Sequence, residues 1–301
     1  MIRLGVDLGG TKIELIALDD SGAVLLRRRK PTPQGEYQAT LKAICSLILE
    51  TELELRQQGT VGIGTPGALS LATGRIKNAN STCLNGQPLQ QDLEKLLQRS
   101  IRLENDANCL ALSEATDGAA AGAAVVFGVI IGTGTGGGIV INGKILTGAN
   151  AIAGEWGHNP LPWSHREEFT HPPDCYCGKK GCIETWLSGP GLARDYQSVS
   201  GKIFNPKEID LKASQGDQIC EVVLQLYEDR LARSLAHIIN ILDPNVIVLG
   251  GGLSNLQRLY RNVPKQWKNY VFSDEINTQL VPPLYGDSSG VRGAAWLWNI
   301  K

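Results

Sequence analysis

The first apolar residues of the chain form two short runs, 2–8 and 13–18, separated by the glycine-bearing stretch GGTK. Runs of that length on either side of a tight turn predict two strands of a hairpin. Leu41, Ile44, Ile48 and Leu55 then recur at helical spacing and place one apolar stripe on a helix over 39–55. GTVGIGTPG at 59–67 predicts a short buried strand running into a Gly/Pro turn. A helix over 89–98 and a strand over 101–104 follow. In NDANCLALSEATDGAAAG the next helix opens at Asn105 or Asp106, either of which carries a capping side chain.

The opening pattern returns at 125 in VVFGVIIGTGTGGGIVINGKI: apolar strand, glycine turn, apolar strand. Its likeness to residues 2–18 predicts a duplicated unit and two domains. Between 150 and 187 periodicity fades while His, Glu, Cys and Trp become frequent. An irregular segment of that length suits a metal clip. Beyond it, Leu231, Leu235, Ile238, Ile239 and Leu242 make one helical stripe that stops at Asp243-Pro244. His237 lies off the stripe and reads as an ordinary surface histidine. VIVLGGG at 246–252 is a buried strand entering a glycine turn. DSSGVRGAAWLWN closes the chain as a capped helix that offers Val291, Ala295 and Trp298 to a core. The alternation of helices and strands predicts an α/β fold. The expected domains are 1–117, completed by a C-terminal helix at 288–301, and 118–287, which contains the irregular segment 155–187.

Composition narrows the class. A chain of 301 residues is long enough for about two domains. Its 29 Lys and Arg balance 30 Asp and Glu, so charge makes no case for nucleic acid or an anionic membrane as partner. The one dense basic run, LRRRK at 26–30, reads as a solvated strand end before a Pro31/Pro33 turn. No stretch is apolar enough to span a bilayer. MIRLGVDLGG enters a strand without the pattern of a secretory leader, so a cytoplasmic protein is expected. Structural disulfides are uncommon there, and seven cysteines cannot all pair within one chain. Thiols held for a metal are the better reading.

Cys175, Cys177 and Cys182 carry that reading, crowded into HPPDCYCGKKGC at 171–182. With His158 they make a Cys3His set for a tetrahedral zinc, and Gly178 and Gly181 let the backbone turn between the sulfurs. Four protein ligands leave no open position, so the zinc is expected to be structural. Glu155 precedes His158 by about one turn and Glu184 follows Cys182, so the clip also organises polar groups around itself.

Three glycine turns follow strands. DLGGTK at 7–12 offers the backbone of Gly9, Gly10 and Thr11 and the Lys12 cation to a phosphate, while Asp7 could hold Mg2+ directly or through water. A tight hairpin turn explains that stretch almost as well. GTGTGG at 132–137 matches the spacing of a dinucleotide fingerprint, but a strand rather than a helix follows it. Together with the turn at 250–252, the set suits an extended nucleotide better than three unrelated bends. Asp106 is either a helix cap or a general base taking a proton from a sugar hydroxyl opposite a γ-phosphate, with Asn105 holding adjacent hydroxyls.

In order and spacing, GVDLGGTK, GIGTPG, NDANCLALSE, GTGTGGG, GEWGH, CYCGKKGCIE and VIVLGGG together resemble the ROK family of sugar kinases over essentially the whole chain. The resemblance implies a duplicated actin-like, ribonuclease-H-like α/β fold with ATP in an interdomain cleft. It implies Asp106 as general base, with Asn105, Asp106, Glu155, His158 and Glu184 on the sugar. It also implies His158, Cys175, Cys177 and Cys182 on zinc and Asp7 near Mg2+. Gly9, Gly10, Thr11, Lys12, Thr133 and Gly134 would lie near phosphates, and Gly251 and Gly252 near adenosine. A homodimer is implied as well. Within the family, NANSTCLNGQPL and GEWGHNPLPW look most like bacterial fructokinases of the manno(fructo)kinase type, although Cys83 stands where a close relative can carry Trp. The expected reaction is ATP-dependent phosphorylation of the 6-hydroxyl of D-fructose, with mannose a further acceptor. The alternatives are an N-acetylglucosamine kinase or glucokinase, and a sugar sensor without turnover.

Overall fold

A computed structural model describes residues 1–298. The chain divides into two compact α/β units, the first formed by 1–122, 138–153 and 287–301, the second by 123–137 and 154–286. The expected second domain, 118–287, therefore takes in sixteen or so residues, Gly138–Ala153, that group with the first unit. The cause is local. Gly138 lies so close to the Ala107–Asn108 backbone that a Cβ there would meet the Ala107 carbonyl oxygen at 2.5 Å.

The elements run β1 (Ile2–Leu8), β2 (Lys12–Leu18), β3 (Val24–Pro31), α1 (Tyr37–Leu55), β4 (Gly59–Thr65), the short pair β5 (Ala68–Leu69) and β6 (Ile76–Lys77), α2 (Leu89–Leu97), β7 (Arg102–Asn105) and α3 (Asp106–Thr116). There follow β8 (Val125–Ile131), β9 (Thr135–Ile141), β10 (Lys144–Ile145), α4 (Arg166–Thr170), α5 (Ile183–Leu187), α6 (Gly189–Ser200), α7 (Pro206–Ser214) and α8 (Gln218–Leu242). The chain ends with β11 (Val246–Gly250), α9 (Gln257–Gln266), β12 (Gln279–Val281) and α10 (Ser289–Trp296). One mixed sheet has the order β3-β2-β1-β4-β7 and the other β10-β9-β8-β11-β12. In each, an antiparallel hairpin around a glycine turn leads into parallel strands, as the repeated sequence pattern predicts.

The first sheet buries one face under α1 and α2, where Leu4, Val6, Ile13, Leu15, Leu41, Ile44, Ile48, Leu89 and Leu93 share a core. Its edge strand β3 is the LRRRK run, and the charges alternate with the pleat. Arg27 and Arg29 turn to Glu14, while Arg28 and Lys30 turn to Glu50 on α1. Glu14 is 1% exposed, and its carboxylate is held ionised by these partners. Burial pushes it up, but hydrogen bonds from Arg27 and Arg29 outweigh that and hold it below the ordinary range.

The last helix closes the first unit at backbone-to-backbone distance. A Cβ at Gly5 would lie 2.1 Å from the Val291 oxygen, one at Gly62 1.9 Å from the Ala294 oxygen, and one at Gly293 1.7 Å from the Cys109 oxygen. Glycine is the one residue that fits at each. Thus β1, β4 and α3 all seat on α10 with no side chain between them. Ser289 Oγ adds a hydrogen bond of 2.6 Å to Glu114 Oε1, and Arg292 pairs with Asp117.

In the second unit, α8 carries a buried ionic network. Arg230 and Arg233 both bind Glu168 of α4, at 2.7 and 2.9 Å, and Arg233 also donates to the carbonyls of Pro162 and Trp163, each at 2.9 Å. Arg233 is fully buried, so these acceptors replace the water it loses. The network pins residues 162–168, just after the irregular stretch that holds His158. No helix among the described residues is long and apolar enough to cross a membrane.

Candidate functional site

The first glycine turn is closed by Gly9 N–H donating to the Lys12 oxygen at 3.0 Å. The Gly9 oxygen accepts from Thr32 Oγ1 at 2.7 Å and the Thr11 oxygen from Thr32 N–H at 3.0 Å. Carbonyls of the turn are thereby engaged from behind, while Gly10 and Thr11 are exposed at its tip. Asp7 and Glu14 face each other across the β1–β2 ladder, on the same side of the sheet. Asp7 is pushed up to about 7, by desolvation first and then by the Asp106 and Glu14 carboxylates, against the pull of Lys12. Crowded carboxylates of this kind favour either a shared proton or a bound cation. A divalent ion at Asp7 would displace that proton and cancel the repulsion from Asp106.

Asp106 opens α3 as its first residue, and of the two cap candidates the structure selects Asn105. Asn105 is the cap: its Oδ1 accepts the Ala107 N–H at 2.9 Å. Asp106 Oδ1 accepts the same N–H at 2.8 Å. Asn105 Nδ2 donates to the Gly67 oxygen at 2.8 Å, which leaves its amide one hydrogen and one lone pair for a ligand. Glu104, which the sequence did not single out, accepts from Asn105 N–H at 2.9 Å and from Asn108 Nδ2 at 3.0 Å, and so stiffens the cap. Behind it, burial pushes the Cys109 thiol well up, so it sits as a small apolar group under the two aspartates.

In the second unit, the turns at 132–137 and 250–252 emerge side by side from the carboxyl ends of β8 and β11, which pair in parallel with Ile130 opposite Gly250. A Cβ on Gly132 would lie 3.8 Å from the Gly252 nitrogen. Carboxyl ends of neighbouring parallel strands are where α/β sheets take ligands. Gly251 has φ +83, and a Cβ there would strike the Ile131 oxygen at 2.5 Å, while Gly252 opens to solvent. Thr133 is exposed at the tip of its turn and Gly134 lies under the Glu184 carboxylate. Thr135 Oγ1 is buried and has no hydrogen-bond partner among the described residues.

The four metal-ligand candidates converge. His158 Nδ1 is 3.6 Å from Cys175 Sγ, Cys177 Sγ is 3.6 Å from Cys182 Sγ, and all four ligand atoms lie within 4.8 Å of one another. Sulfurs about 2.3 Å from a tetrahedral ion stand a little under 4 Å apart, so the set fits a closed zinc site. Gly178 at φ +86 and Gly181 at φ +67 make the turns that bring the thiols inward. Because Nδ1 faces the thiols, the other imidazole nitrogen is available, and Nε2 lies 3.0 Å from Tyr176 Oη. Tyr176 lies between two ligands and belongs to no motif that marks it in the sequence. Desolvation, followed by the nearby Glu184 and Glu155 carboxylates, pushes it up to about 12, so it stays a neutral hydroxyl. Glu155, His158, Tyr176 and Glu184 thus share one polar surface beside the metal cluster.

Turns and strands of this kind, repeated in two α/β units, define the actin-like sugar-kinase class of fold. The chain belongs to the ROK family, which matches residues 3–301. It is 39% identical over 300 residues to an N-acetyl-D-glucosamine kinase of Vibrio atlanticus, covering 99% of each chain. Among solved structures it is similar to a ROK hexokinase from Thermus thermophilus, with 30% identity, TM-score 0.86 and coverage of 98% of this chain and 97% of that one. A ROK family glucokinase from Streptomyces griseus, solved with glucose and AMPPNP, is 26% identical with TM-score 0.81 and 99% of each chain covered.

These relatives correct the fructokinase expectation. Proteins 38–40% identical over nearly the whole chain carry the name N-acetyl-D-glucosamine kinase. The two stretches behind that expectation turn out to serve loop packing. Asn85 of NANSTCLNGQPL ties both backbone groups of Ala79, and Leu84 and Leu89 join the core. In GEWGHNPLPW, Trp156 binds the Gly136 oxygen and the Pro162 and Trp163 carbonyls bind Arg233. Asn85, Trp156, Pro162 and Trp163 thus owe their place in these stretches to loop folding and do not discriminate one sugar from another.

Proposed function

We propose that this chain transfers the γ-phosphoryl group of ATP to a hydroxyl of N-acetyl-D-glucosamine. Whole-chain relatedness to kinases named for that sugar carries the choice of acceptor, and ROK membership carries the reaction class. From the first unit, Asp106 takes the proton of the acceptor hydroxyl, Asn105 binds a neighbouring hydroxyl, and Gly9, Gly10, Thr11 and Lys12 face phosphates. Asp7 would hold Mg2+, which would supply positive charge against the transferring group. From the second unit, Glu155, His158 and Glu184 bind sugar hydroxyls; with Nδ1 on the metal, His158 Nε2 carries the proton and donates, beside Tyr176 Oη. Thr133 and Gly134 face phosphates and Gly251 and Gly252 the adenosine. His158, Cys175, Cys177 and Cys182 hold a structural zinc.

A coupled ADP-release assay over a sugar panel tests the acceptor. The highest kcat/KM is expected on N-acetyl-D-glucosamine, and a higher value on fructose, glucose or mannose overturns the assignment. The metal is tested separately. Elemental analysis of tag-free protein is expected to find one zinc per chain, and protein that is active and folded without bound metal refutes the clip.

A further inference from the structure

Three contacts, all inside the second unit, fasten the metal-ligand segment to the glycine turn at 132–137. Cys182 is both a ligand candidate and the residue that precedes α5, so this helix starts where the metal is held. Two residues on, Glu184 Oε2 accepts the Thr135 N–H at 2.9 Å. Two residues before His158, Trp156 donates Nε1 to the Gly136 oxygen at 2.9 Å and sets its ring edge-on to Phe127, with centroids 5.6 Å apart. Between them Gly157 lies against Thr135 so closely that a Cβ would meet the Thr135 oxygen at 2.0 Å. The backbone polar groups of the turn are therefore held by residues on both flanks of the metal cluster. None of the cysteines is in a disulfide, so a bound ion would be the one link that joins all four ligand side chains directly.

We propose that Trp156 and Glu184 are positioning residues through which the metal centre sets the shape of the 132–137 turn, so that metal occupancy governs affinity for nucleotide phosphates. The inference rests on the reading that this turn faces phosphates. A purely packing role predicts something different: a general loss of stability that weakens every ligand alike.

Titration calorimetry on the full-length protein, with ADP and Mg2+ as the probe, separates these cases. Chelator-treated protein is expected to bind ADP at least about tenfold more weakly than the zinc-loaded protein. Trp156→Phe keeps the ring and removes the donor; one hydrogen bond of this kind corresponds to about fivefold weaker ADP binding. Zinc content and N-acetyl-D-glucosamine affinity should stay at the wild-type level. Glu184→Ala should lose ADP affinity to the same degree, and Glu184→Gln, which retains an acceptor for Thr135 N–H, should restore it. If zinc-loaded wild type binds ADP and both the metal-free and Trp156→Phe proteins bind it equally well, the inference falls and the kinase reading stands. If Trp156→Phe loses affinity for sugar and ADP together with a lowered Tm, the contact only packs the unit and the inference also falls. If zinc-loaded wild type binds no ADP, the nucleotide reading fails and takes the inference with it.

Discussion

Asp106→Asn is expected to lower kcat by about a thousandfold, the usual worth of a positioned general base, while sugar affinity changes little. The substitution is nearly isosteric, and Asn at this position can still accept the Ala107 N–H that Asp106 Oδ1 now takes at 2.8 Å. The helix start also keeps its own cap, Asn105. Loss of turnover would therefore report lost proton acceptance rather than lost structure. Removing this charge also relieves Asp7, whose carboxyl is held near 7 in part by Asp106. Asp7 should then ionise at lower pH in the variant, which can be followed by carboxyl NMR. A folded Asp106→Asn protein that phosphorylates sugar at the wild-type rate would remove Asp106 from the chemistry.

Gly293→Ala should be the most damaging single methyl group in the first unit. Its Cβ would stand 1.7 Å from the Cys109 oxygen and 2.4 Å from the Cys109 carbonyl carbon, both backbone atoms of α3 that no rotamer change can move. Overpacking against backbone costs about 3 kcal/mol, and the only relief is to push α10 away from α3. Gly290→Ala, on the same helix, meets nothing nearer than Asp7 Cγ at 4.0 Å, so it should cost less than about 1 kcal/mol. Urea midpoints of the two variants test the contrast. Because α3 begins at Asp106, the Gly293 variant should also lose activity at denaturant levels well below its unfolding midpoint. Equal stability of the two proteins would mean that the close approach of α10 is not what holds the unit together.

Much of this was readable before any coordinates. Strands β1, β2, β4 and β8 and helices α1, α2 and α3 match the sequence expectation closely, because each buries one continuous or evenly spaced apolar set. The glycine turns and the Cys3His cluster were equally plain, since both depend on residue types with few other uses at that spacing. Three kinds of feature were hidden. Edge strand β3 was legible as a solvated strand end, but the sorting of its two faces by ion pairs to Glu14 and Glu50 was not. Helix α9 is mostly polar and carries Pro264, which hid its short buried stripe of Leu259 and Val263. The roles of Trp156, Tyr176 and Glu104 come from neighbours distant in sequence or from a turn, and no periodicity encodes them. The sugar was the least legible of all. Hydroxyl recognition depends on where a few donors point, and a linear motif does not give those directions.

The seating of α10 also orders events during synthesis. Residues 154–286 leave the ribosome before the helix that Gly5, Gly62 and Cys109 await, so the second unit can mature while the first still lacks a structural wall. A nascent chain halted short of residue 289 holds its metal ligands and all three glycine turns, yet leaves the backbone of β1, β4 and α3 uncovered. The aspartate-bearing helix is among the first parts translated and among the last to be locked in place.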